Sequence, residues 1–115
     1  MMQIAVKNID DITVLHLDGR FDFSTHRDFK NAYGGALQTK GLKDVVVDLT
    51  QVEYMDSSAL GMLLLLREKA NMANIDVSLR SCGGFVQQIL EVANFQNLFT
   101  ISPTVGPAGF SGKQS

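Results

Sequence analysis

The chain has 115 residues, enough for one domain around a single core and too few for two. An apolar share of 45% and a charged share of 19% are those of an ordinary globular protein, and a net charge of −2 with ten scattered basic residues argues against the basic face that nucleic acid requires. A single cysteine, Cys82, excludes an intrachain disulfide, and the longest apolar stretch, residues 59–66, falls far short of the roughly 20 residues that span a bilayer.

Residues 3–8 alternate weakly and read as a first strand. Asp10-Asp11 is a turn, and residues 12–17 form a second strand, with Ile12, Val14, Leu15 and Leu17 apolar; the short spacing predicts an antiparallel hairpin. Gly19-Arg20-Phe21-Asp22 ends that strand, and Ser24 or Thr25 can cap the helix that follows. Phe29, Ala32, Tyr33, Ala36 and Leu37 define one face of this helix, which Gly34-Gly35 weakens by about 1 kcal/mol per glycine. Val45-Val46-Val47 between Asp44 and Asp48 reads as a central strand covered on both faces. Residues 50–55 read as a loop, and residues 59–72 as a helix whose first half is apolar nearly all round and so deeply buried.

Residues 75–79 give the next strand. Cys82-Gly83-Gly84 turns into a short helix with Val86, Ile89, Leu90 and Ala93 on one face, and residues 99–101 suggest a last short strand. The order predicts an α/β domain over residues 1–102: a mixed four- to five-stranded sheet with an N-terminal hairpin and three to four helices, joined by right-handed crossovers. Residues 103–115, rich in glycine and proline, read as a flexible C-terminal tail.

Several chemistries lack their residues. No G-x-x-x-x-G-K-[ST] loop cradles a nucleotide, so a small-molecule or nucleotide binder is disfavoured. Two histidines, His16 and His26, and one cysteine have no zinc spacing, and His16 reads as a packing or surface residue within its strand. The nucleophile elbow of a serine hydrolase is missing. A receiver-type phosphoacceptor aspartate would need acidic residues gathered for Mg²⁺; Asp48 near a strand end and Asp22 after another are candidates, but Asp10-Asp11 sits in a hairpin turn, the wrong connection. No enzyme, cofactor or metal is expected.

Asp56-Ser57-Ser58 stands where a loop enters a helix. On chemistry alone one of these three is the N-cap, since Asp and Ser oxygens accept orphan backbone N–H groups. The segment Tyr54-Met55-Asp56-Ser57-Ser58-Ala59-Leu60-Gly61 resembles the D-S-[ST]-G-L-G signature of the STAS domain family, of the anti-sigma factor antagonist type. Leu17-Asp18-Gly19-Arg20-Phe21-Asp22 is similar to the family's L-x-G-x-[LF]-D turn, and the element order fits over residues 3–102. The resemblance implies a bacterial, cytoplasmic partner-switching protein that acts by binding. Ser57 is then the phosphoacceptor, and Asp22, Asp56, Ser57, Ser58 and Ala59 lie at the partner-binding surface.

Leu60 and Gly61 set the helix start, Leu60 as core more than contact. The implied partners are an anti-sigma factor that is also a serine kinase of the histidine-kinase-like ATPase fold, and a PP2C-type phosphatase. Unphosphorylated, the protein sequesters the kinase and frees its effector. The sequence departs from the signature at Ala59, where glycine is usual, adding a methyl at a surface the partner approaches. The alternative within the same fold is an unmodified scaffold subunit of a transport or stress-sensing complex.

Overall fold

The computed structural model describes residues 2–81 and 83–103. From residue 104 onward the expected tail lies outside the described residues. Strands β1 (Gln3–Ile9) and β2 (Ile12–Phe21) form the antiparallel hairpin, with Ile9 opposite Ile12 across a two-residue turn. Asp10 adopts φ 53° there, in the left-handed region that a short polar side chain tolerates. Helix α1 (His26–Leu37), strand β3 (Asp44–Met55), helix α2 (Ser57–Met72), strand β4 (Asp76–Ser81), helix α3 (Gly84–Val92) and strand β5 (Thr100–Pro103) follow. Two single-turn 3-10 segments, Phe23–Thr25 and Phe95–Asn97, are additions that the sequence pattern did not signal. Among the described residues no helix is long and apolar enough to cross a membrane.

The sheet order is β1-β2-β3-β4-β5, with β2 to β5 parallel. Every crossover therefore steps one strand in the same direction. Right-handed connections then place all three helices on one face of the sheet. Burial follows this rule. Leu15, Leu17, Val45, Val47, Leu49 and Leu79 point under the helices and are at most 1% exposed. His16, Val46, Ser78 and Arg80, on the opposite face, are half-buried. The triple-valine segment is thus a central strand, but it is covered by helices on one face only, because no crossover reverses.

Helix α1 buries Phe29, Tyr33 and Ala36 as its spacing predicts, and the Phe29 ring lies 5.0 Å from Phe21 and 5.3 Å from Tyr33. Helix α2 departs from expectation. Met62, Leu63, Leu66 and Ala70 are buried, but Gly61 and Leu64 face outward. A helix lying on one face of a single sheet always has an outer side, so an all-round apolar sequence does not make it a buried one.

The segment expected as a loop over residues 50–55 is the second half of β3. It pairs with β2 as far as Phe21–Met55, whereas pairing with β4 stops at Asp48–Arg80. This half of the strand is hydrogen-bonded along one edge, and its exposed side chains, Gln51 and Glu53, made it read as a loop. The β2–β3 register shifts twice, and at the second shift Gly19 adopts φ 111°, a conformation open to glycine and strained for other residues.

Asp48 therefore sits in mid-strand rather than near a strand end. The parallel register sets it beside His16, whose Nδ1 donates to Asp48 Oδ2 at 2.8 Å. Asp48 Oδ1 accepts the Thr50 N–H at 3.0 Å. Burial alone would raise the Asp48 pKa, but the Thr50 hydrogen bonds and the His16 contact outweigh it and hold the carboxyl below its ordinary range. A carboxyl lowered on folding stabilises the fold above its ordinary value of 3.8 and loses that contribution as pH falls through the lowered value. Asp48→Ala is expected to cost about 1.5–3 kcal/mol near neutral pH, the range for hydrogen bonds to a charged group. In urea unfolding the gap to wild type should narrow as pH falls below 3.8; a gap independent of pH refutes the assignment.

Candidate functional site

In a parallel sheet of sequential order the strand-to-helix junctions line up at one end. Here three of them stand side by side: β2 into α1, β3 into α2, and β4 into α3. The Asp56-Ser57-Ser58 segment is the middle one.

Asp56 is the N-cap of α2, in extended conformation, and its Oδ1 accepts the Ala59 N–H at 3.0 Å. Its other oxygen, Oδ2, accepts the Phe23 N–H at 3.2 Å. One carboxylate thus ties the α2 start to the neighbouring junction. Asp22 builds that junction: its Oδ1 accepts both the Ser24 hydroxyl at 2.6 Å and the Ser24 N–H at 3.0 Å. The Ser24 hydroxyl holds the Asp22 carboxyl below the usual carboxylate range against the effect of burial, with help from the Ser24 N–H and from Arg20, 3.6 Å away. The expectation that Ser24 or Thr25 caps the first helix is corrected. Ser24 donates to Asp22, Thr25 occupies the N-cap of α1 without a side-chain cap bond, and Asp22 caps the 3-10 turn between them.

Ser57, the first residue of α2, is exposed. Ser58 is half-buried, and Leu60 is half-buried against the core. Ala59 was expected at the partner surface and is corrected: it is 0% exposed, because the first turn of α2 points this position into the core. Its methyl fills core space, and only its backbone takes part in the site, through the bond to Asp56. Asp22, Asp56, Ser57 and Ser58 are brought together as expected.

Sequence reasoning missed the aromatic residues around them. Register pairs Arg20 with Tyr54, and the Arg20 guanidinium lies 4.2 Å from the centre of the Tyr54 ring. From the α3 side the Phe85 ring stacks on Tyr54 at 6.1 Å, inclined by 18°. Phe23 stands out from the 3-10 turn with 76% of its surface exposed, and Phe85 is 52% exposed. Nothing in the local sequence marks which of seven phenylalanines face water; the position of Phe23 immediately after Asp22 was the available clue. Among the described residues no group of His, Cys, Asp or Glu side chains is arranged to hold a metal ion.

Comparison with known proteins places this geometry in context. The STAS domain model matches residues 3–108. A STAS-domain containing protein of Pseudomonas aeruginosa is 48% identical over 88 residues, which is 76% of this chain and 85% of that relative. Among solved structures, an anti-sigma factor antagonist from Mycobacterium paratuberculosis superposes with a TM-score of 0.83 at 20% identity, covering 99% of this chain and 96% of its own. The Bacillus cell fate determinant SpoIIAA, an anti-sigma factor antagonist, gives a TM-score of 0.73 in its unphosphorylated form, at 13% identity over 95% of this chain and 96% of its own. Its phosphorylated form gives 0.73 as well, at 11% identity over 97% and 100%. At these identities the solved structures establish the fold.

Replacing Asp56 removes the α2 cap and the tie to Phe23 together. Asp56→Ala should lower stability by about 1–2 kcal/mol, the upper half of the range for a lost N-cap, whereas Asp56→Asn, which keeps an acceptor, should cost less. Urea midpoints of the two variants check this, and equal losses would show that the acceptor oxygen is not what matters.

Proposed function

The chain belongs to the STAS domain family, and on that premise we propose that it is an anti-sigma factor antagonist switched by phosphorylation of Ser57. Unphosphorylated, it binds and sequesters an anti-sigma factor that is also a serine kinase of the histidine-kinase-like ATPase fold. A PP2C-type phosphatase restores the binding form. The observation that carries this reading is the placement of Ser57: exposed, first in α2, and at the middle of three aligned junctions.

Three physical points support it. First, a helix start favours anions through its dipole and its free N–H groups, so the fold can carry a phosphate at Ser57. Second, strand order without reversal leaves no topological switch point, and hence no crevice of the kind that binds small ligands at the strand ends of α/β sheets. The site offers a protein-sized surface instead. Third, SpoIIAA has the same likeness to this chain in its phosphorylated and unphosphorylated forms, so that protein carries the modification without leaving the fold. A phosphoserine adds about −1.5 to −2 charges beside Asp56, and a tenfold loss of affinity needs only about 1.4 kcal/mol.

The test is direct. Incubation with ATP and each such kinase of the source genome should place one phosphate on Ser57, located by peptide mass spectrometry. Ser57→Ala should bind that kinase constitutively, and Ser57→Asp at least tenfold more weakly. Phosphate on Ser58 or elsewhere, or equal binding by both variants, overturns the reading and leaves the unmodified scaffold.

A further inference from the structure

The three aligned junctions carry an unusual pair of exposed aromatic rings. Phe23 lies in the junction on one side of Ser57 and Phe85 in the junction on the other. Both are held in place. The Phe23 backbone is pinned by the Asp56 carboxylate at 3.2 Å, while its ring stays 76% exposed. The Phe85 ring is stacked on Tyr54, which carries Arg20 as a second neighbour. Rings fixed before binding lose little freedom on binding, which is the property of interface anchors. The charge around them is one-sided. Segments 18–25 and 51–58 hold Asp18, Asp22, Glu53 and Asp56 against the single cation Arg20, and that guanidinium is already engaged by Tyr54 and Asp22.

We propose that Phe23 and Phe85 are the two apolar anchors that dock the Ser57 kinase, and that the kinase meets them with apolar pockets set in a basic face. The inference rests on the function proposed above and adds where the binding energy lies and what the partner surface must be. A cationic partner complements four carboxylates; an acidic one would be repelled by them. Basic groups drawn to this rim would also bring the kinase's active site onto the serine that stands between the two rings. Phosphate at Ser57 then lies inside the docked area, where covering by the partner removes water and strengthens the effect of the added charge.

The probe is the kinase that phosphorylates Ser57 in the assay above, titrated calorimetrically against the full chain. Phe23→Ala and Phe85→Ala are each expected to weaken binding about 30-fold or more, the effect of losing an interface hot spot. Val92→Ala, removing an apolar side chain 84% exposed at the far end of α3, should stay within about twofold. Raising ionic strength should weaken wild-type binding, as for complementary charged surfaces. Circular dichroism and urea midpoints confirm that the exposed substitutions leave the fold intact. Wild-type affinity in both phenylalanine variants, with Ser57→Asp still weak, overturns the docking inference and leaves the switch standing. Equal binding by Ser57→Asp and wild type overturns the switch itself. A concentration-dependent dimer of the chain that Phe23→Ala dissolves makes the occupant a second copy and also overturns the inference.

Discussion

The geometry of the candidate site depends on a single carboxylate. Asp56 gives one oxygen to the first turn of its own helix and the other to the backbone of the preceding strand-to-helix junction. As a cap it is worth about 1 kcal/mol, no more than any other good N-cap. Its structural effect is larger than that figure, because it fixes two chain segments 33 positions apart in sequence against each other. Ser57 follows Asp56 directly, so locking the carboxylate locks where the serine hydroxyl stands. Phe23 is locked by the same atom, and Asp22 completes the junction by holding the Ser24 backbone and hydroxyl.

Much of this fold was legible in the sequence. The hairpin followed from alternation around Asp10-Asp11, the α1 face from the Phe29–Tyr33–Ala36 spacing, and the central strand from its valines. What escaped was everything that depends on pairing between strands. The second half of β3 was misread because only β2 pairs with it beyond Asp48, so it lacks the apolar run of a strand bonded on both sides. The His16–Asp48 pair requires the parallel register that sets residues 32 positions apart side by side. The same holds for Arg20 on Tyr54. Within the site, the caps were read to within one residue, but the side of the helix that each position occupies was not. Ala59 looked like surface because the signature holds glycine there, yet the first turn of α2 carries it into the core.

The topology divides the molecule into regions with separate tasks. Helices cover one sheet face and supply the core, with Phe21, Phe29, Leu63, Leu66 and Leu90 all fully enclosed. The opposite face carries the row of His16, Asp48 and Arg80, fixed by register. The strand ends hold the site. Because the strands never reverse order, these ends form a continuous edge without a cleft, and side chains standing on that edge meet whatever docks there. Exposed aromatic rings at such an edge cost the free protein little as isolated residues, since single surface apolar groups are normal. Two of them on either side of an exposed serine form a footprint suited to one partner.

That separation bears on how a phosphate can act as a switch. In the free chain Ser57 faces water, where two unit charges about 4 Å apart interact by only about 1 kcal/mol. The dipole and N–H groups of α2 offset part even of that. The fold therefore has little to lose from the modification. Under a docked partner the effective dielectric falls, and the same pair of charges at the same spacing interacts by about 4 kcal/mol at a value of 20. Each carboxylate of the rim that helps draw in a basic partner would then repel the phosphate more strongly than in water. The phosphate also competes for the partner's cations in a geometry arranged for Asp22 and Asp56. The energetic consequence of phosphorylation would thus be small in the free protein and large in the complex, which is the condition for a switch that changes binding while the fold stays the same.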